Sequence, residues 1–145
     1  MINAATITKA VTAMLKAGLS DEYKVERGEY INMDYGKTPW VGVYRGTLDY
    51  NPSTLGRGNN NWKADFAVRI IVQASSFKNE ASVVEDLLES YIEDVLAIIT
   101  SDSTLGGSVA MTKGVKVAYS YNEQESENVY FQNAEIEILT EVRTS

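Results

Sequence analysis

Between residues 62 and 100 the spacing of apolar side chains changes period, and no other feature limits the fold as much. Trp62, Ala64, Phe66, Val68, Ile70, Val72 and Ala74 alternate with mostly polar neighbours. Successive side chains of a strand point to opposite faces, so this run predicts a strand with one face buried. Val84, Leu87, Leu88, Tyr91, Ile92, Val95, Ile98 and Ile99 then recur at intervals of three and four. That spacing gathers side chains on one side of an α-helix and predicts a helix over about 80–100. Asn79, or Ser82 with Glu85 three residues later, supplies an N-cap pattern. A strand with one apolar face beside a helix with one apolar stripe predicts helix packed on sheet.

The remaining segments fit that plan. Residues 3–18 predict a second amphipathic helix, with Asn3 or Thr6 as cap, Ile7, Val11, Met14 and Leu15 as stripe, and Gly18 at the place of a C-terminal glycine. Tyr23, Val25 and Arg27 suggest a short strand, and Tyr30 to Tyr35 a second extended piece. Trp40 to Tyr50 predicts a firmer strand, but Trp40, Val41, Val43 and Tyr44 put apolar groups on both faces, so its buried face stays open. Asp102 to Gly107 reads as a turn, Val115 to Tyr121 as a strand, Asn122 to Asn128 as a polar, acidic turn, and Val129 to Val142 as a long last strand. The last two strands should pair as a hairpin. The expectation is one α+β domain over residues 1–145, with a single antiparallel or mixed sheet and its two main helices (about 3–18 and 80–100) on one face. A connection at about 50–61, rich in Asn and Gly, joins the two central strands. It is far longer than an ordinary hairpin loop, and loops of that kind are commonly functional.

Several activities are disfavoured by what the chain lacks. Its 145 residues include no cysteine and no histidine, which removes thiolate chemistry, zinc–sulfur sites and imidazole bases. The net charge of −7 argues against wrapping duplex nucleic acid. That charge is uneven: residues 1–78 carry ten Lys/Arg against seven Asp/Glu, and residues 79–145 carry three against thirteen. No run approaches a membrane span, and the N-terminus lacks the basic and apolar regions of a secretory signal, so a soluble intracellular product is expected.

Short motifs add little chemistry. Ser75-Ser76-Phe77-Lys78 matches S-x-x-K, but neither S-D-N nor K-T-G follows. Gly56-Arg57-Gly58 lacks the third glycine of a dinucleotide loop. Glu85, Glu89 and Glu93 form an acidic row on one helix, which reads as a solvated face before a metal site, since one helix offers no second ligand set. Glu127-Asn128-Val129-Tyr130-Phe131-Gln132 resembles a viral protease cleavage site but sits inside strand-like sequence. Nine tyrosines and two tryptophans suit a recognition surface, and also suit a sheet.

The element order carries a resemblance. An amphipathic helix, strands flanking a long connection, the acidic helix with Glu-Asp-Leu-Leu-Glu at 85–89, the turn Asp102-Ser103-Thr104-Leu105-Gly106-Gly107 and a closing hairpin together resemble the tail terminator (tail completion) proteins of long-tailed bacteriophages. That resemblance implies a non-enzymatic virion protein, assembled in the host cytoplasm, that forms a hexameric ring on the tail tube. Such a ring stops tube polymerisation and docks the head connector, and DNA passes through it without specific binding. Neither cofactor, metal nor membrane belongs to such a role.

On that reading, residues Tyr50, Asn51, Pro52, Leu55, Arg57, Asn59 and Asn60 of the long connection are expected to meet the tail tube protein or the head–tail connector, also called the stopper. Arg45, Lys63 and Arg69, with Arg57, are expected to face carboxylates of a neighbouring subunit or the tube, because a ring joins unlike faces of adjacent subunits. Glu85, Glu89 and Glu93 are candidates to line the channel, where acidic walls repel DNA. The competing readings are a head-completion or stopper protein of the neck and, in another class, a small carboxylate-dependent hydrolase.

Overall fold

The computed structural model describes residues 3–28, 38–50, 62–76, 81–120, 123–126 and 129–144. Helix α1 (Ala4–Gly18) is followed by β1 (Lys24–Arg27), β2 (Trp40–Tyr50), β3 (Trp62–Ser76), helix α2 (Ala81–Thr100), β4 (Met111–Tyr119), β5 (Glu123–Ser126) and β6 (Val129–Thr144). The strands form one sheet in the order β1-β2-β3-β6-β4, with β5 also pairing β6. β1 runs parallel to β2 and every other pairing is antiparallel. The sheet is therefore mixed and the fold is α+β, as the change of period predicts. The expected polar turn at 122–128 contains a four-residue strand, Glu123–Ser126. The extended piece expected at Tyr30 to Tyr35 lies outside the described residues.

Both helices cover the same face. Val41 and Val43 of β2, six alternate residues of β3 from Ala64 to Ala74, and Ala134, Ile136, Ile138 and Val142 of β6 share one core with Ile7, Val11 and Leu15 of α1 and Val84, Leu88, Ile92, Val95 and Ile99 of α2. Burying each large side chain contributes roughly 1.5–3 kcal/mol, far more than the few tenths lost to like charges along α2. Two buried hydroxyls of this core are satisfied locally: the Thr12 hydroxyl donates to the Thr8 carbonyl at 2.7 Å, and Thr140 donates to the Phe66 carbonyl at 2.8 Å.

Two β-bulges set which residues face the helices. In β2, Arg45 opposes Val68 and Leu48 opposes Phe66, three residues against two. The extra residue reverses the alternation, so Val41 and Val43 face the helices before it and Leu48 and Tyr50 pack on the same core after it. Trp40 is buried on the other face, with its ring lying over Gly42. This is why the sequence of β2 displays apolar groups on both sides. The second bulge, between Thr112 and Gly114 of β4, sets Val115, Val117 and Tyr119 on the helix side.

Asn3 caps α1, its side chain accepting the Ala5 N–H at 3.0 Å. Gly18 does not act as a left-handed cap: the helix runs through it to an extended Leu19. A Cβ there would lie 2.7 Å from Ile98 Cδ1, so the glycine lets α1 approach α2. Ser82 is inside α2 and is not its cap, while Asn79 lies outside the described residues. The turn after α2 is built by Asp102. Its carboxylate accepts the Thr104 N–H at 2.9 Å, the Thr104 hydroxyl at 2.6 Å and the Gly106 N–H at 3.0 Å, which holds its pKa below the ordinary value. Leu105 adopts a left-handed φ of 47° and is fully buried, and Gly106 and Gly107 continue with φ of 70° and 80°. Glycine adopts those angles without the penalty other residues incur, which accounts for the Thr-Leu-Gly-Gly segment.

Candidate assembly surfaces

The face of the sheet away from the helices is laced with charge. Along β3 and β6 the directly opposed pairs include Lys63 with Arg143 and Asp65 with Glu141, which are like-charged. Neutralisation comes from a diagonal, from within β6 and from β4. Glu141 takes Lys63 at 3.1 Å and Arg143 at 2.7 Å, and Asp65 takes Lys113 at 3.0 Å. Those two cations hold the Glu141 carboxyl below its ordinary range, the Lys63 hydrogen bond leading. Arg69 reaches Glu135 at 3.1 Å and Glu137 at 3.6 Å. The Tyr44 hydroxyl donates to the same Glu135 oxygen at 3.0 Å. Burial and that bond push Tyr44 up to about 12.

Lys63 and Arg69, expected to serve a neighbouring subunit, thus form ion pairs within their own chain. Arg45 differs: it is exposed and forms no ion pair with a described residue. It lines a surface hollow of about 280 Å³ with Arg27 of β1 and with Ala5 and Thr8 of α1. Tyr50, expected to belong to the contact loop, is the last residue of β2 and packs partly buried against the core. Asn51, Pro52, Leu55, Arg57, Asn59 and Asn60 lie outside the described residues.

The acidic row of α2 divides. Glu85, Glu89 and Glu93 are all exposed. Glu85 and Glu89, with Asp86, Leu88, Tyr119 and Gln132, line a second hollow of about 410 Å³ beside β4. The Glu89 carboxylate beside the Tyr119 hydroxyl raises its pKa. Gln132 is almost wholly buried, and its Oε1 has no hydrogen-bond partner among the described residues. Sequence reasoning gave Gln132 no role beyond the cleavage-site likeness; the structure sets Val129 to Gln132 within β6. On the far side of α2, Asp94 accepts the Tyr23 hydroxyl at 2.6 Å, and Tyr23 and Tyr91 stack edge to face at 5.5 Å. Burial and the Asp94 bond push Tyr23 well above the ordinary tyrosine value. This contact ties α2 to the entry of β1.

At β4 the helices leave the sheet uncovered. Val115 and Tyr119 on the helix side are 39% and 56% exposed, and Met111 and Leu139 on the other face are also exposed. Among the described residues no three acidic side chains converge as a metal site, and no helix is long and apolar enough to cross a membrane. The S-x-x-K serine, Ser75, lies near the end of β3 with its hydroxyl 2.6 Å from the Thr38 hydroxyl, and Lys78 lies outside the described residues. No known family model matches the chain, and no curated protein matches it.

Proposed function

We propose that this chain is the terminator of a phage tail tube. In this reading it is a non-enzymatic ring subunit, hexameric in the assembled virion, that seats on the finished tube, stops its growth and presents the docking surface for the head connector. The observation that carries the reading is the delivery of the long connection. β2, β3 and β6 run side by side, and Tyr50, Trp62 and Thr144 lie at the same end of the sheet. Residues 51–61 therefore join β2 and β3 at that end of the sheet. β3 alone is 15 residues long, about 50 Å at ~3.3 Å per residue. A polar connection delivered at one end of the sheet suits a contact with the tube or the connector. The uneven charge supports the same reading, because a ring joins unlike faces.

The test is a titration of the purified protein into polymerising tail-tube protein, with tube length read by negative-stain microscopy. Shorter tubes carrying a ring at one end are expected, and deletion of residues 52–60 should abolish the effect while the protein stays folded. An unchanged length distribution overturns the reading. Binding to portal or adaptor rings without any effect on tubes would transfer it to the stopper of the neck.

A further inference from the structure

We propose that the acidic hollow beside β4 is the socket for Arg27 and Arg45 of a second copy of this chain, so that copies join head to tail through opposite edges of the sheet. The inference deepens the ring reading and rests on it only for closure into a ring; the contact itself is argued from the two hollows.

The socket is an acceptor site. Glu85, Asp86 and Glu89 bring negative charge to its wall, and the Gln132 amide oxygen, buried in the same wall, has no donor among the described residues. A buried oxygen without a donor is costly, and an incoming N–H repairs it. Leu88 and the Tyr119 ring supply the apolar part of the lining. Carboxylates with an aromatic face and an aliphatic wall suit a guanidinium on its methylene stem, which forks to carboxylates and stacks on rings. A bare divalent ion fits poorly, since it needs six or more oxygens drawn close. No three acidic side chains converge that tightly among the described residues.

The arginines that fit are on the opposite edge. Of the four described arginines, Arg69 and Arg143 form ion pairs within the chain, whereas Arg27 and Arg45 form none with a described residue. These two line one hollow, at the β1–β2 edge and against α1. The socket is at the β4 edge and against α2. Both hollows open on the helix-bearing side, so two copies laid edge to edge bring one to the other. The surfaces differ, so the contact is heterologous and propagates. The uncovered Val115 and Tyr119 lie where the second copy would cover them.

Sedimentation of the full chain at rising concentration and at low and high salt tests this. Association that weakens with salt is expected. Arg45→Glu and Glu89→Arg should each weaken it about tenfold or more, and the double variant should regain most of it, since close charge pairs across interfaces are coupled. Both positions of the test are exposed, and matching circular dichroism spectra establish folding. Because the chain has no cysteine, Arg45→Cys with Glu89→Cys should yield a ladder of oligomers with a short bis-maleimide. A monomer at every concentration, or association indifferent to both single variants, overturns the proposal, as does tight Mg²⁺ or Ca²⁺ binding at Glu89 without association. If copies fail to associate but tubes are still capped, the contact is wrong and the terminator reading stands. If copies associate as described but tubes keep growing, the reverse holds.

Discussion

The two faces of the central strands handle their side chains in opposite ways. On the helix side of β3, alternate positions from Ala64 to Ala74 are all buried and apolar. On the other side, Lys63, Asp65 and Arg69 engage Glu141, Lys113, Glu135 and Glu137 in ion pairs that remain partly exposed. The first face holds the fold together through burial, which needs no partner of particular geometry. On the second, solvent keeps each pair weak. The lesson for assembly is that charge on the open face of β3 and β6 is already matched within the chain. Among the described residues, Arg27 and Arg45 in one edge hollow and Glu85 and Glu89 in the other form no ion pair.

The contrast is sharpened by substitutions that should differ in size. Phe66→Ala removes a fully buried ring from the helix side and should cost about 3–5 kcal/mol in denaturant unfolding. Gly42→Ala places a methyl into the Trp40 ring on the other face; the expected loss is about 1–3 kcal/mol, read as a lowered thermal midpoint. A loss there as large as for Phe66 would mean that the outer face carries a second core. Arg69→Ala should cost under about 1 kcal/mol, shrinking further in high salt; a salt-independent loss would contradict the weak-pair account.

The smallest effects are those of pH. The Glu141 carboxyl is held low by Lys63 and Arg143, so its contribution is present above the ordinary value of about 4.3 and is lost as pH falls through the lowered value. Glu141→Gln should therefore narrow the difference between neutral and acid stability. Tyr44 behaves oppositely. Its phenol is pushed up to about 12, so the unfolded chain loses this proton first, and stability falls as pH rises from about 10. Tyr44→Phe should soften that alkaline loss, and an unaltered alkaline limb would argue against the Glu135 bond.

Much of the fold was legible because its signals are local. Asn3 before an apolar stripe caps α1, and the run from Trp40 to Tyr50 matches β2 at both ends. The features that escaped depend on contacts distant in sequence. The parallel pairing of β1 with β2 leaves no mark on four residues. The bulge between Arg45 and Leu48 disguises a one-sided strand as a two-sided one. Gly18 looks like a helix terminator, but its role comes from Ile98, eighty residues on. Arg69 could be recognised as a charge, while its engagement by Glu135 and Glu137 follows only from the register of β3 on β6. The acidic row was visible as well, yet only packing divides it, setting Glu85 and Glu89 over Tyr119 and Gln132.

By itself, then, the sequence determined the kinds of element, their order and the α+β class, because periodicity and capping act within a few residues. It also determined the charge imbalance between the two halves. The tertiary structure decided which charges are matched and which are left free at an edge. Pairing across strands depends on register, and a bulge of one residue is enough to exchange the faces.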